Sequence, residues 1–346
     1  MNIAIMGFGT VGSGAAELLR ENHDHILKNS MQDSLELTHI LDLRDFPGSP
    51  YEPILTHDFN DILNDAQTGI VVETMGGIHP AYEFVSACLE AGKSVVTSNK
   101  ELVAEKGCQL LRLAESKNVN FLFEASVGGG IPIIRPISQC LAANEFGKIA
   151  GILNGTTNYI LTRMFENSVS FEAALKEAQD RGYAERDPSS DIDGIDTARK
   201  ISILASLAFG KHVYPKDVKP IGISGVTEAD VKRAAEQGCV VKLLATAEKL
   251  RDGRIDVEVR PAFIRKTSPL APVSGVYNAI LVKGNATEDV MFYGRGAGKM
   301  PTASAVIADV IDCCKHVGTR KFFGWEDSEP GYTVSGNASA LEIADV

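Results

Sequence analysis

The chain holds a single tryptophan, only 7% of its 346 residues are aromatic, and positive charge is in deficit, with 34 Lys and Arg against 45 Asp and Glu. A formal net charge of -11 makes the surface as a whole repel nucleic-acid phosphate and anionic lipid. Nucleic acid is therefore not expected as a partner. No run reaches the ~18 apolar residues that a membrane-spanning helix requires, so no membrane association is expected. Met1 leads directly into the strand-like Asn2 to Met6, without a basic segment or a small-residue cleavage site, and the expected compartment is the cytoplasm. The six cysteines include no C-x-x-C pair and none with a histidine at zinc spacing, which excludes a metal knuckle and a disulfide framework. The adjacent Cys313 and Cys314 lie in an apolar helical pattern and read as packing residues. Repeats and low-complexity tracts are also lacking.

What is present is an alternation of short apolar runs with amphipathic stretches. Asn2 to Met6, Leu37 to Leu41, Ile70 to Glu73, Ser94 to Thr97 and Asn120 to Phe123 read as strands, with helices at Val11 to Glu21 and near Ala81 to Ala91 between them. Alternation of this kind produces βαβ units and a parallel sheet. The expected fold class is α/β, a Rossmann-like doubly wound sheet over residues 1–134. Beyond Gly130 the pattern turns to helices (Pro132 to Ala142, Asn158 to Glu166, Phe171 to Asp180, Asp193 to Phe209). Strands follow at Arg254 to Arg260, Ala279 to Lys283 and Asp289 to Tyr293, so a second α+β domain for substrate binding and dimerisation is expected over 135–300. A bare sheet edge there would be covered by self-pairing across a two-fold axis, so the expected assembly is a homodimer. Residues 301–346 read as a helix, Pro301 to Cys314, that returns to the first domain, followed by a loosely held tail from about Arg320.

Gly7-Phe8-Gly9-Thr10-Val11-Gly12 is a G-x-G-x-x-G turn that follows the first strand and opens the first helix. Gly7 allows the tight turn, Gly9 lets backbone approach a pyrophosphate, and Gly12 lets helix and strand pack closely. The free N–H groups and the helix dipole favour the anion. A nicotinamide dinucleotide is the expected cofactor. At the end of the second strand, Asp42 would accept from the ribose 2'-OH of NAD, whereas Arg44 would pair with the 2'-phosphate of NADP, so both remain open. The separation from the glycine turn also exceeds the usual ~20 residues. Thr74, Ser98 and Lys100 fall just past the third and fourth strands of the alternation, at the carboxyl ends where ligands collect.

The densest group of ionisable residues runs from Glu185 through Asp187, Asp191 and Asp193 to Asp196, Arg199 and Lys200. A calcium-loop reading fails because no Glu stands at the twelfth position. Asp193 is a suitable helix N-cap, and Asp196 and Lys200, spaced i, i+4, share one face of the helix that follows. The continuation Ile201, Ile203, Leu204, Ala205, Leu207 is apolar, so this helix is expected to be buried. A lysine at its mouth beside a carboxylate suits proton exchange with an alcohol. By residues alone, an ordinary salt bridge and a catalytic pair stand level.

The segment Gly151 to Leu161 with its Asn154-Gly155-Thr156-Thr157-Asn158 core resembles the homoserine dehydrogenase signature. So does Gly182-Tyr183-Ala184-Glu185 with Asp187-Pro188, Asp191, Gly194, Asp196 and Arg199-Lys200. Glu124 to Pro132 and Gly296-Ala297-Gly298 with Pro301 to Val306 extend the resemblance from Met1 to about Asp312. It implies interconversion of L-homoserine and L-aspartate 4-semialdehyde, with Lys200 as acid/base, Asp196 beside it, and Glu185 and Asp191 at the substrate. Lys100 would lie between substrate and nicotinamide, and Gly298 with its loop would close over the cofactor. The resemblance further implies a structural monovalent cation, sodium, held by backbone oxygens near Glu124, Val127, Gly129 and Ile131. Many members carry an upstream kinase or downstream regulatory domain for which this chain has no room, so feedback control through one is not expected. A rival sugar or polyol dehydrogenase of the glucose-fructose oxidoreductase type would leave Glu185 to Lys200 unexplained. A non-catalytic nucleotide-binding module would have no need to keep them.

Overall fold

Residues 3–6 contain no turn former, and with Asn2 they build the first strand, β1 (Asn2–Met6), whose last four residues are buried. The structure, a computed structural model, describes residues 1–336 and 339–346. Helices α1 (Thr10–Glu21) and α2 (His23–Ser30) come next, then β2 (Glu36–Leu41), β3 (Leu55–Thr56), α3 (Phe59–Leu63) and β4 (Thr68–Glu73). They are followed by α4 (Ala81–Glu90), β5 (Ser94–Thr97), α5 (Lys100–Lys117) and β6 (Phe121–Leu122). All neighbours in this sheet are parallel, in the order β3-β2-β1-β4-β5-β6. The order reverses between β1 and β4, and in such sheets the crevice beyond the carboxyl ends at the reversal receives the ligand.

The next stretch comprises β7 (Phe146–Ile152), α6 (Gly155–Asn167), α7 (Phe171–Asp180), α8 (Ser189–Ile192), α9 (Ile195–Phe209) and α10 (Glu228–Glu236). Four long strands close it: β8 (Cys239–Lys249), β9 (Ile255–Arg265), β10 (Tyr277–Gly284) and β11 (Glu288–Arg295). Helix α11 (Lys299–Lys315) and the short strands β12 (Thr333–Val334) and β13 (Ile343–Ala344) complete the chain. The second sheet has the order β11-β10-β7-β8-β9-β12, with β13 also on β9. Its long strands pair antiparallel, and the two tail strands run parallel to β9. Two compact units result, Met1–Pro132 with Ala297–Phe323, and Ile133–Gly296 with Gly324–Val346.

In the first unit Ile3, Ile5, Ile70, Val72 and Val96 of the sheet pack with Ala15, Ala16 and Leu19 of α1 and with Val306, Ile307 and Val310 of α11. Helices α1 and α11 touch because Gly14 has no side chain: a Cβ there would lie 3.1 Å from that of Ala303. Cys313 and Cys314 belong to this core, and burial pushes the Cys313 thiol far above its usual range. Among the described residues no helix is long and apolar enough to cross a membrane.

Several expectations are corrected. Where a helix from Pro132 to Ala142 is expected, the helical stretch is shorter, residues 134–140, and it widens over Pro136–Cys140, where the Leu141 N–H donates to Pro136 O at 2.8 Å. Prolines 132 and 136 lack the N–H groups a regular helix needs. Strand β8, which the pattern does not announce, is buried along most of both faces, so it shows no polar alternation. Asp193 does not cap α9: the capping position is Gly194, at φ 81, and no side chain takes part. Cys140 is exposed, whereas the other five cysteines are buried. Among the described residues the tail is tied down at several points. Trp325 is 6% exposed, its indole N–H donates to His212 Nδ1 at 3.0 Å, and β12 and β13 extend the second sheet. The short tail strands offer too little periodicity to be read in advance.

Candidate active site

The turn between β1 and α1 has the conformation its glycines allow. Gly7 sits at φ +93, and a Cβ there would lie 2.9 Å from Met75 N. A Cβ on Gly12 would lie 2.0 Å from Gly7 O and 2.8 Å from Thr74 Oγ1, whereas one on Gly9 would meet nothing within 4 Å. Backbone is thus pressed together at Gly7 and Gly12 and open to an incoming group at Gly9. No side chain caps α1, whose first turn begins at exposed Thr10 and half-buried Val11, so its N–H groups are left for an anion. Phe8 is 8% exposed and its ring packs edge-on to Phe46, so its contribution to the turn is its backbone.

A cleft of about 590 Å³ opens beside this turn, lined by Gly7, Gly9, Asp42, Arg44, His57 and Thr74 among others. Thr74 donates its hydroxyl to Gly7 O at 2.7 Å and so ties the end of β4 to the glycine turn. Asp42 accepts from the Phe8 N–H at 2.7 Å, from the Arg44 N–H at 3.0 Å, and from Arg44 Nε and Nη2 at 2.9 Å each. Arg44, and then the Phe8 N–H, hold the Asp42 carboxyl down at about 2 against the opposing effect of burial. The long spacing between Gly12 and Asp42 is accounted for by α2, an extra helix before β2. Because the folded carboxyl is more acidic than an unfolded one, this contribution to stability is complete above about pH 4 and is lost as pH falls towards 2. Asp42→Asn should flatten that part of the acid-unfolding curve; an unchanged curve would contradict the assignment.

Behind the cleft stands a carboxylate that sequence reasoning missed. Glu73, at the end of β4, is fully buried and accepts from Thr97 Oγ1 at 2.5 Å, Met75 N–H at 2.8 Å, Gly76 N–H at 3.3 Å and Asn99 Nδ2 at 3.5 Å. Burial pushes its carboxyl up, opposed by these donors. Glu73 O also accepts from the Ser98 N–H at 3.2 Å, so one residue fixes both loops past β4 and β5. Asn99 caps α5, at whose first position Lys100 stands half-buried. Gly298, at φ +120, opens α11 without a side-chain cap.

In the second unit the turn from β7 into α6 is the centre of a buried polar cluster. Lys200 Nζ donates to Asp196 Oδ2 at 2.7 Å and to Leu153 O at 2.9 Å. Asn154 Nδ2 donates to Asp196 Oδ2 at 2.9 Å and to Asp191 Oδ1 at 2.7 Å. Lys200 is 7% exposed and Asp196 3%. The i, i+4 pair is therefore not an ordinary surface salt bridge, because burying two charges is costly unless each is paired and hydrogen-bonded. Asp191 joins the pair through Asn154. Glu185 does not: its side chain is exposed on the turn after α7, and among the described residues no hydrogen bond or ion pair engages its carboxylate. Asn158, from the same motif, accepts from the buried Lys242 at 3.0 Å and donates to Val273 O and Tyr277 O, anchoring α6. Burial brings the Lys242 amine down to about 8.

Glu124, Val127, Gly129 and Ile131 lie in one buried turn of the first unit, where Gly129 is at φ +55 and the Ile131 N–H donates to Gly128 O at 2.9 Å. The described residues contain no cluster of three or more His, Cys, Asp or Glu side chains able to hold a metal. Oxygen donors at this turn are chiefly backbone carbonyls, a hard set suited to a monovalent cation.

A family model described as homoserine dehydrogenase matches residues 132–311, and one described as homoserine dehydrogenase, NAD binding domain, matches residues 7–124. A homoserine dehydrogenase of Synechocystis sp. is 44% identical over 323 residues, covering 90% of this chain and 73% of its own. The crystal structure of a homoserine dehydrogenase from Thiobacillus denitrificans superposes with a TM-score of 0.86 at 40% identity, over 91% of this chain and 73% of that one. A hyperthermophilic archaeal homoserine dehydrogenase in complex with NADPH gives a TM-score of 0.75 at 30% identity, over 90% and 97%. With both the glycine turn and the Asp196–Lys200 cluster inside the matched segments, the chain belongs to the homoserine dehydrogenase family.

Proposed function

We propose that this chain interconverts L-homoserine and L-aspartate 4-semialdehyde with a nicotinamide dinucleotide, and that Lys200 is its acid/base. The buried Asp196–Lys200 pair carries this reading, since a lysine held by one carboxylate and one carbonyl is poised to exchange a proton with a third partner. The bound nicotinamide supplies the hydride acceptor in one direction and the donor in the other. When homoserine is oxidised, the Lys200 amine takes the hydroxyl proton; in reduction its ammonium returns a proton to the aldehyde oxygen. Asp191 and Glu185 suit the substrate's ammonium, and Lys100 its polar end beside the nicotinamide. Absorbance of the reduced cofactor should rise with L-homoserine under alkaline conditions. No rise with either NAD or NADP would overturn the reading.

Asp42 and Arg44 favour NADP. Both Asp42 oxygens already accept two hydrogen bonds each, so a ribose hydroxyl could bind there only by displacing one. Arg44 keeps further N–H groups at the cleft, and the hydrogen bond from the His57 ring to Asp42 O pushes the His57 pKa up, which favours a second cation on that wall. A 2'-phosphate is the group that uses both. Arg44→Glu should lower kcat/KM for NADP by about 10-fold or more, as loss of a charge-assisted hydrogen bond does, and spare NAD. Equal loss with both cofactors would count against a phosphate role.

The oxygen-rich turn at Glu124, Val127, Gly129 and Ile131 would hold sodium as a structural ion, with no part in the proton or hydride steps. A homodimer is supported by β11, an edge strand with no buried residue whose exposed face carries Met291, 40% exposed, and Tyr293, 52% exposed. Pairing two copies would cover it.

A further inference from the structure

We propose that Asn154 is a positioning residue for the reaction, whose one carboxamide sets the spacing of Asp191, Asp196 and, through Asp196, Lys200. The proposal rests on the reading of Asp196 and Lys200 as the reacting pair. Asn154 is 5% exposed, and both its amide hydrogens and its amide oxygen find partners inside the chain. Its Oδ1 accepts from the Thr157 N–H at 2.9 Å and so caps α6, which fixes the orientation of the amide. The two hydrogens on Nδ2 must then point away from the helix, and each meets a different carboxylate, Asp191 at 2.7 Å and Asp196 at 2.9 Å. A flipped amide would set its oxygen against two carboxylates and lose the cap, so only one arrangement is satisfied.

The consequence is electrostatic as well as steric. Asp191 and Asp196 both present oxygens to the same amide nitrogen, and a neutral double donor between them fixes the two carboxyl groups at close quarters where a water could drift. The neighbouring carbonyl, Leu153 O, accepts a hydrogen bond from Lys200, so two successive residues of one turn hold the lysine from one side and its carboxylate from the other. Gly155 follows because a side chain there would collide with Val276 O, at 2.8 Å from a Cβ. The turn is thus rigid at the positions that place the reacting groups. A shift of about 1 Å in such groups costs on the order of 100-fold in rate.

Capping and positioning are separable by substitution. Asn154→Ser keeps a good cap and removes the double donor without adding charge; Asn154→Asp keeps the cap and the shape but sets a third carboxylate beside the other two. The measurement is steady-state oxidation of L-homoserine by both variants, with thermal midpoints and with Lys200→Ala as control. Asn154→Ser should lower kcat about 10- to 100-fold and raise KM for homoserine while KM for the cofactor stays put. A protein that merely folds less well would lose kcat with both KM values unchanged. If Asn154→Ser melts early, Asn154→Asp gives the same split with the shape retained. Kinetics within about twofold of the parent in either folded variant, with Lys200→Ala inactive, would reduce Asn154 to a helix cap and overturn the proposal alone. Parental turnover by Lys200→Ala would remove the reacting pair and the proposal with it.

Discussion

Gly12→Val should abolish useful cofactor binding and destabilise the protein together. The added Cβ alone would stand 2.0 Å from Gly7 O and 2.8 Å from Thr74 Oγ1, and both obstacles are fixed, the first by backbone and the second by its hydrogen bond to that same carbonyl. Helix α1 can respond only by moving off the glycine turn, which takes its free N–H groups away from the pyrophosphate and opens its contact with the sheet. Overpacking of this kind costs about 3 kcal/mol. Losing two hydrogen bonds to a charged phosphate, at about 1.5 to 3 kcal/mol each, corresponds to a loss of affinity of about 100-fold or more. Titration of the nicotinamide fluorescence and a thermal melt read the two effects separately. Affinity equal to the parent would show that the cofactor does not use this turn.

Lys200→Ala is the second large effect. Removing a positioned acid/base lowers kcat on the order of 100-fold or more. It also removes the Lys200 partner of Asp196, 3% exposed, and breaking a buried pair in this way costs about 3 to 5 kcal/mol. The variant should therefore melt earlier and should be assayed well below its own midpoint. The cofactor's KM should stay near the parent value, because Lys200 and the glycine turn belong to different units of the chain. A fall in kcat that vanishes once the folded fraction is counted would make Lys200 a structural residue.

What can be read from the linear order of residues is what depends on neighbours in the chain. The glycine turn is legible because Gly7, Gly9 and Gly12 each answer a backbone demand local to one strand-turn-helix unit. Asp196 and Lys200 are legible as a pair because helical spacing puts them on one face, and the apolar run after Lys200 announces that the face is buried. Asn154 is not legible in that role: its partners are 37 and 42 residues away, and nothing in its own segment distinguishes a capping asparagine from one that also bridges two carboxylates. Glu73 escapes notice for the same reason, since an acidic residue at a strand end reads as solvated until Thr97 and Asn99 are folded onto it. Asp42 and Arg44 are seen as candidates for two different cofactors, yet only the structure shows that each engages the other. Strand β8 and the shortened, widened helix after Pro132 mark the limits of periodicity, the first because both faces are buried and the second because Pro136 cannot donate within a regular helix.

The most direct test of Lys200 as the group that exchanges the substrate proton is a stopped-flow single turnover of Lys200→Ala with cofactor and L-homoserine, protonated and then deuterated at the carbon that loses hydride. The account predicts hydride transfer slowed on the order of 100-fold or more, with a full primary isotope effect because chemistry has become limiting. Transfer at the parental rate, with the parental isotope effect, would contradict it.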